Sequence, residues 1–145
     1  SAGDEIVALT RAGRATRIAA RDVKAAGTPL RGFRNDEQLL ALVAGKPDQF
    51  VVALAADGTA ARALLSDISG QPPVGSTASP TRLLAGEPLA LFACGANARF
   101  VATTNAGRRL EFAASDIPIA GARVGKAPLW ELEAGEELAI ALPAV

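Results

Sequence analysis

The sequence predicts an all-β fold of three propeller-like blades built from short antiparallel strands. Three observations support this: a segment recurs three times at nearly constant spacing, apolar and polar residues alternate within each copy, and glycine and proline interrupt most stretches that could be helical. Alternation with a period of two places one face of a strand against a core and the other in solvent. The 14 glycines and 9 prolines are spread along the whole chain, which leaves little room for long helices.

Each copy begins with a β-prone run that ends in a glycine. The runs start near residues 5, 51 and 100, and their glycines are Gly13, Gly58 and Gly107, spaced by 45 and 49 residues. Because glycine accepts the positive φ of tight turns, a strand that ends in glycine and is followed by a second strand indicates a hairpin. We expect one hairpin at the start of each copy.

Two further markers repeat with nearly the same period. Nine residues after each glycine stands an aspartate followed by a β-branched residue: Asp22-Val23, Asp67-Ile68 and Asp116-Ile117. Later in each copy a glutamate introduces another apolar run: Glu37, Glu87 and Glu136. Such a repeat indicates that one small supersecondary unit is used three times.

The chain is therefore predicted to be one repeat domain, residues 1–145, with blades at approximately 4–49, 50–98 and 99–145. A repeat of this length is the size of a propeller blade, and we expect each to be a meander of three or four strands. Residues 36–44 could also form a helix, but comparison with the other copies favours a strand. Three stacked blades leave two open ends, to be covered by further blades of a longer chain, by a second copy or by an atypical third blade.

The composition excludes several classes of chemistry. The chain contains no histidine, tyrosine or methionine, one cysteine and equal numbers of basic and acidic residues, 15 of each. Histidine-based triads, histidine metal sites and a tyrosine nucleophile are thereby absent, so we expect no catalysis by this chain alone, no cofactor and no metal site. Cys94 is expected to be a buried core residue and Trp130 a core or inter-blade anchor. No apolar stretch is long enough for a membrane helix.

Parts of the repeat resemble a known family. The segment Thr103-Thr104-Asn105-Ala106-Gly107-Arg108, followed by Ser115-Asp116-Ile117-Pro118, resembles the repeat of the C-terminal domain of DNA gyrase A and of its topoisomerase IV counterpart. The segment Leu9-Thr10-Arg11-Ala12-Gly13-Arg14, with Arg17 and Asp22 downstream, is similar to the same repeat. The resemblance covers almost the whole chain as three consecutive units.

The resemblance implies a β-pinwheel, a disc whose blades exchange strands and whose basic rim bends DNA. It implies a non-catalytic part of an ATP-dependent type IIA topoisomerase that works in the bacterial cytoplasm on the nucleoid. Its partners would be the ATPase subunit, the rest of the A subunit, and double-stranded DNA. The family disc has five or six blades, so three would form a half disc. The box that gyrase uses to complete DNA wrapping has no close counterpart, since residues 27–32 resemble it only loosely. This moves the likeness towards topoisomerase IV or a divergent paralogue.

The charges of the chain alternate in sign along it. Residues 1–34 have a net charge of +4 and residues 99–126 of +3, whereas residues 35–98 have −3 and residues 127–145 have −4. Affinity for duplex DNA comes largely from neutralised phosphates, so the two basic regions are the candidate surface. Arg17, Arg62 and Arg109 are expected to point outward at comparable positions of the three blades. The predicted DNA-binding residues are Arg14, Arg17, Arg21, Lys24, Arg31, Arg34, Arg62, Arg108, Arg109, Arg123 and Lys126.

The same charges would also suit ordinary solvated strand faces. The alternative function is accordingly a repeat scaffold for protein–protein interaction or self-association, such as a homodimer, without DNA binding. The zero net charge and the missing wrapping box favour this alternative.

Overall fold

The computed structural model describes residues 4–19, 38–68, 81–84, 87–117 and 130–144. In these ranges the chain forms ten β-strands and two short 3-10 turns, and none of the described residues is in an α-helix. The prediction of an all-β fold is confirmed. None of the described residues belongs to a helix that is long and apolar enough to cross a membrane.

The strands are short and evenly distributed. They are β1 (Glu5–Thr10), β2 (Arg14–Ala19), β3 (Leu39–Gly45), β4 (Phe50–Ala55), β5 (Ala60–Leu64), β6 (Thr81–Arg82), β7 (Pro88–Cys94), β8 (Arg99–Thr104), β9 (Arg109–Ala113) and β10 (Leu138–Pro143). The 3-10 turns Leu65–Asp67 and Ala114–Asp116 follow β5 and β9 and contain the aspartates of the repeated motif. Residues 39–45 form a strand, as the comparison of the copies predicted.

Three antiparallel sheets correspond to the three copies of the repeat. Sheet 1 has the order β3-β1-β2-β6, sheet 2 the order β7-β4-β5 and sheet 3 the order β10-β8-β9. The predicted meander is wrong in its connectivity, because the first strand of each copy, not the second, is central. The physical reason is visible in β4, whose residues 51–55 are at most 2% exposed on both faces. Only a central strand of a sheet covered on both sides provides that environment.

The hairpin turns of the three sheets have the same geometry. Gly13, Gly58 and Gly107 have φ angles of +83°, +88° and +83°. Each donates its amide N–H to the carbonyl three residues earlier, with an N···O distance of 3.0 Å. A turn closed in this way, with a left-handed residue at its end, is a common three-residue hairpin connection. The predicted equivalence of the three glycines is confirmed.

One strand joins a sheet that is built mainly by another copy. β6 pairs with the start of β2, so that Arg82 lies opposite Arg14 and Thr81 opposite Ala15. The following amide N–H, of Leu83, donates to the carbonyl of Gly13 at 2.8 Å. Residues 81–84 fall within the range predicted for the second blade but complete sheet 1. The predicted blade boundaries stay a prediction.

The three sheets stack face to face in chain order. We call the side of a sheet that looks towards the next sheet its leading face, and the side towards the preceding sheet its trailing face. Val7 and Leu9 on the leading face of sheet 1 pack with Val51 and Ala53 on the trailing face of sheet 2. The second interface is formed in the same way by residues of sheets 2 and 3, including Val52, Leu54, Phe100, Ala102 and Phe112. Sheet 2 is thus buried on both faces.

Aromatic rings fill the second interface. Phe92 lies 4.6 Å from Phe100, Phe100 lies 5.2 Å from Phe112, and Trp130 meets Phe112 edge-on at 5.2 Å between ring centroids. Cys94 is 8% exposed in the same cluster. Desolvation raises the pKa of its thiol, and the charge of Arg62 partly opposes this. The prediction that Cys94 is a core residue is confirmed, and Trp130, partly buried, packs against the core between sheets 2 and 3 as an inter-blade anchor.

Candidate nucleic-acid interface

The structure describes five of the eleven predicted DNA-binding residues. They are Arg14, Arg17, Arg62, Arg108 and Arg109. The other six, Arg21, Lys24, Arg31, Arg34, Arg123 and Lys126, lie outside the described residues. The five described arginines come from all three copies of the repeat.

Arg17 and Arg62 occupy the same position in sheets 1 and 2 and make the same contact. Arg17 lies opposite Val7 in β1, and Arg62 lies opposite Val52 in β4. The Nε–H of Arg17 donates to the carbonyl of Ile68 at 2.7 Å, and that of Arg62 donates to the carbonyl of Ile117 at 2.9 Å. Each arginine therefore reaches from its own sheet to the Asp-Ile motif of the next copy.

Both guanidinium groups are also held by their own sheet. Arg17 Nη1 donates to both carboxylate oxygens of Glu5, at 3.1 and 3.2 Å. The guanidinium of Arg62 lies over the ring of Phe50, 4.7 Å from its centroid, which is a cation–π contact. These contacts link neighbouring sheets. A DNA contact by Arg17 or Arg62 stays a prediction.

The expectation that Arg109 occupies the position of Arg17 and Arg62 is wrong. In sheet 3 the residue opposite Val101, and hence the equivalent of Arg17 and Arg62, is Glu111. Arg109 lies two residues earlier, opposite Thr103. The correction follows from the strand register, in which Glu111 is four residues after its hairpin glycine, as Arg17 and Arg62 are after theirs.

Arg109 lies on the leading face of sheet 3. Its side chain is 70% exposed, and its nearest carboxylate partner is Glu111, 60% exposed, at 3.4 Å. Arg99, also exposed, lines the same shallow groove of about 680 Å³ together with Val101, Leu142 and Pro143. An exposed ion pair of this kind contributes little to stability, so Arg109 can exchange it for a phosphate at little cost.

Arg108, next to the third hairpin glycine, is bound to an acidic segment. Its guanidinium donates to both carboxylate oxygens of Glu136, at 2.8 and 3.1 Å, and to the carbonyl of Glu131 at 3.1 Å. Arg108 and the backbone N–H of Glu133 hold the pKa of Glu136 at about 2, below its usual 4.5. The same carboxylate raises the pKa of Arg108. A phosphate at Arg108 would have to compete with Glu136.

The first hairpin is basic and the second is not. Arg11 pairs with Glu87, and Arg14 begins β2 in a half-buried position. In the second hairpin Asp57 accepts hydrogen bonds from the N–H and the hydroxyl of Thr59, at 3.0 and 2.6 Å. The alternation of charge seen in the sequence is therefore present at the turns, although Arg11 and Arg108 are paired with carboxylates.

The inter-sheet role of Arg17 and Arg62 was not predicted from the sequence. A signal for it was present, since both follow their hairpin glycine by four residues and are 45 residues apart, the same period as the glycines. Among the described residues, no three histidine, cysteine, aspartate or glutamate side chains are grouped so that they could hold a metal ion.

The fold has clear counterparts among solved structures. The chain superposes on the C-terminal domain of DNA topoisomerase IV with a TM-score of 0.75 and 13% identity, covering 99% of this chain and 48% of that one. It superposes on the E. coli ParC C-terminal domain with a TM-score of 0.73 and 17% identity, covering 99% of this chain and 63% of that one. For the DNA gyrase A C-terminal domain the TM-score is 0.76 and the identity 14%, covering 99% of this chain and 52% of that one. The chain has the fold of these C-terminal domains.

The likeness lies in the structure rather than in the sequence. No protein-family model matches the chain, and no curated protein matches it in sequence. The chain spans about half the length of two of these topoisomerase C-terminal domains and 63% of the third. Within the topoisomerase C-terminal-domain fold of this chain, the contacts of Arg17 and Arg62 are polar links between consecutive sheets.

Proposed function

We propose that this chain is a non-catalytic module of a bacterial type IIA DNA topoisomerase that binds and bends duplex DNA. The observation that supports this most strongly is the structural likeness over 99% of the chain to three C-terminal domains, two named for topoisomerase IV or gyrase and one for ParC. Its partners in the bacterial cytoplasm would be the ATPase subunit, the rest of the A subunit, and double-stranded DNA.

The proposed mechanism is electrostatic and independent of base sequence. Regions 1–34 and 99–126 carry net charges of +4 and +3, and phosphate contacts fix a duplex on a surface without reading its sequence. Arg109 has the most exposed guanidinium for which an ion pair is described, at 70%. The proposed contacts therefore centre on Arg109 and on the predicted cations outside the described residues: Arg21, Lys24, Arg31, Arg34, Arg123 and Lys126.

The proposal is tested by titrating a fluorescent duplex with the chain at several salt concentrations. We expect the logarithm of the affinity to fall linearly with the logarithm of the salt concentration, with a slope of about −0.9 per neutralised phosphate. Replacing Arg21, Lys24, Arg31 and Arg34 together by glutamine should weaken binding and make the slope shallower.

Lys46→Gln provides the matched control for that variant. Lys46 is an exposed cation in the acidic middle region, 3.0 Å from Asp4, so its replacement should leave the affinity for the duplex unchanged. A wild-type chain without affinity for long duplexes at low salt would overturn the proposal.

A second candidate function is a scaffold that binds a protein partner. It is favoured by the engagement of Arg17, Arg62 and Arg108 in contacts within the chain, which leaves fewer guanidinium groups for phosphates. If this function is the right one, the quadruple glutamine variant would bind a duplex no differently from the wild type, because neither would bind it.

A further inference from the structure

The hairpin turn of sheet 3 is bound to a segment that we call the acidic segment, residues 131–137. The backbone N–H of Asn105, in the turn, donates to the carbonyl of Glu137 at 2.9 Å. The side chain of Asn105 donates from Nδ2 to the carbonyl of Gly135 at 3.1 Å and accepts the N–H of Glu137 at 3.0 Å. The acidic segment is therefore fixed against the turn. It contains no basic residue and four glutamates: Glu131, Glu133, Glu136 and Glu137.

One carboxylate of this segment lies in a nearly buried site beside the turn. The side chain of Glu136 is 5% exposed, whereas that of its partner Arg108 is 45% exposed. The carboxylate accepts two hydrogen bonds from Arg108, at 2.8 and 3.1 Å, and one from the backbone N–H of Glu133 at 3.0 Å. The hydroxyl of Thr104 donates to it as well. A buried carboxylate that loses its cation is left uncompensated, so moving Arg108 away from Glu136 is costly.

Two other arginine–glutamate pairs of the described residues are of a different kind. In the pairs Arg11–Glu87 and Arg109–Glu111 every side chain is at least 52% exposed. Such pairs contribute little to stability, and a phosphate can take the place of the carboxylate. At Arg108 only the arginine is accessible, and its carboxylate is held by the surrounding protein. Exposure of a guanidinium therefore does not by itself make it a phosphate contact.

The residue after the hairpin glycine decides which kind of pair is formed. Glu87 and Glu136 are the same marker of the repeat in consecutive copies. In the second copy the residue after the glycine is Thr59, and Glu87 pairs with Arg11 of the first hairpin. In the third copy that residue is Arg108, and Glu136 binds it within its own copy.

We propose that Glu136 is an autoinhibitory residue, which prevents Arg108 from contacting a phosphate of duplex DNA. A phosphate that approached Arg108 would also be repelled by Glu131 and Glu133, which are both exposed. The inference rests on the proposed DNA binding and goes beyond it in two respects. It removes one predicted contact from the interface, and it implies that the chain binds DNA less tightly than its cations would allow.

Titration of a fluorescent duplex at several salt concentrations tests the proposal. Glu136→Gln should bind more tightly than the wild type at low salt, because Arg108 then becomes available to a phosphate. One more neutralised phosphate makes the slope of log affinity against log salt steeper by about 0.9, so the gain should shrink about three- to fourfold between about 50 and 200 mM salt. Glu137→Gln is the matched control. It removes the same charge from the adjacent, exposed residue and should leave the slope unchanged.

Arg108→Gln distinguishes the release of this arginine from a general effect of charge. In the wild-type chain the change should leave the slope unchanged, whereas in the Glu136→Gln chain it should abolish the gain in slope. Urea unfolding followed by tryptophan fluorescence shows whether each variant keeps its fold. If Arg108→Gln does not fold, the comparison of Glu136→Gln with Glu137→Gln tests the proposal without it.

Three outcomes would overturn the inference. Equal slopes for Glu136→Gln and Glu137→Gln would show that Glu136 does not hold back a phosphate contact. A shallower slope for Arg108→Gln than for the wild type would show that Arg108 already binds a phosphate. Both results would leave the proposed DNA binding intact. If neither the wild type nor Glu136→Gln bound the duplex at low salt, the proposed function and this inference would both be wrong.

Discussion

At the scale of single residues, an arginine four residues after the hairpin glycine links its sheet to the next copy of the repeat. Arg17 and Arg62 each donate to the carbonyl of a buried isoleucine in the Asp-Ile motif of the next copy. Glu111, at the same position of sheet 3, is exposed and pairs with Arg109. A charged side chain can be held between sheets when its donors are satisfied, and the Asp-Ile motif supplies the acceptor.

Replacing Arg62 by alanine should lower the free energy of unfolding by about 1 to 3 kcal/mol. The carbonyl of Ile117 would lose a charge-assisted hydrogen bond, and the cation–π contact with Phe50 would be lost as well. Urea unfolding followed by tryptophan fluorescence measures the free energy of unfolding. Arg109→Ala is the matched control, with an expected change within about 0.5 kcal/mol, because its side chain is exposed. Equal effects of the two changes would contradict the inter-sheet role.

The Arg108–Glu136 pair should make the free energy of unfolding depend on pH in the acidic range. The pKa of Glu136 is about 2 in the folded chain and rises towards its usual 4.5 on unfolding. A carboxyl group with a lowered folded-state pKa stabilises the fold above its unfolded pKa, and this contribution is lost as the pH falls through the folded value.

The free-energy difference between wild type and Glu136→Gln should therefore shrink as the pH falls from 4.5 to about 2. Urea unfolding at a series of pH values measures it. Arg108→Gln removes the main cause of the lowered pKa of Glu136. This variant should therefore lose the same pH-dependent contribution to the free energy of unfolding. A difference between wild type and Glu136→Gln that is constant over this range would show that the pair does not stabilise the fold in this way.

At the scale of the element, the hairpins depend on a left-handed glycine. A Cβ at Gly107, whose φ is +83°, would meet no atom within 4 Å, so any cost of an added methyl group comes from the backbone conformation alone. Gly107→Ala should lower the free energy of unfolding by about 1 kcal/mol or more, because L residues disfavour this region.

Gly95 is the control for that experiment. It also has no atom within 4 Å of an added Cβ, and its φ is not in the left-handed region. Gly95→Ala should be neutral, or stabilise by about 0.4 to 1 kcal/mol through the unfolded chain. Thermal unfolding of both variants compares them, and an equal loss at both positions would rule out the turn geometry as the cause.

At the scale of the whole molecule, sheet 2 packs against sheets 1 and 3, whereas sheet 3 packs against one other sheet among the described residues. Val52 and Val101 occupy the same position of their sheets, but Val52 is fully buried and Val101 only partly. Val52→Ala should destabilise by about 2 kcal/mol, from two lost methyl groups and the cavity they leave.

Val101→Ala should destabilise by well under half of that, because the side chain of Val101 is only partly buried and leaves a smaller cavity. Chemical unfolding at a fixed low concentration measures both variants. Equal losses would indicate that the leading face of sheet 3 is as well packed as that of sheet 2.

The all-β fold and the three hairpins could be predicted from the sequence because they depend on local properties. A glycine that needs a positive φ and the β-prone run before it determine a hairpin within a few residues of chain. Because the same pattern recurs in three copies, each copy strengthens the prediction for the other two. The burial of Cys94 and the packing of Trp130 against the core could be predicted from their residue types.

The order of strands in each sheet and the partners of the arginines were decided only by the tertiary structure. Whether the first or the second strand is central depends on which strand the third one joins, and that pairing is made across a long connection. The register then decides which side chain faces the next sheet, and a shift of two residues separated Arg109 from the position occupied by Glu111. Contacts between distant segments depend on packing, which a local pattern does not encode.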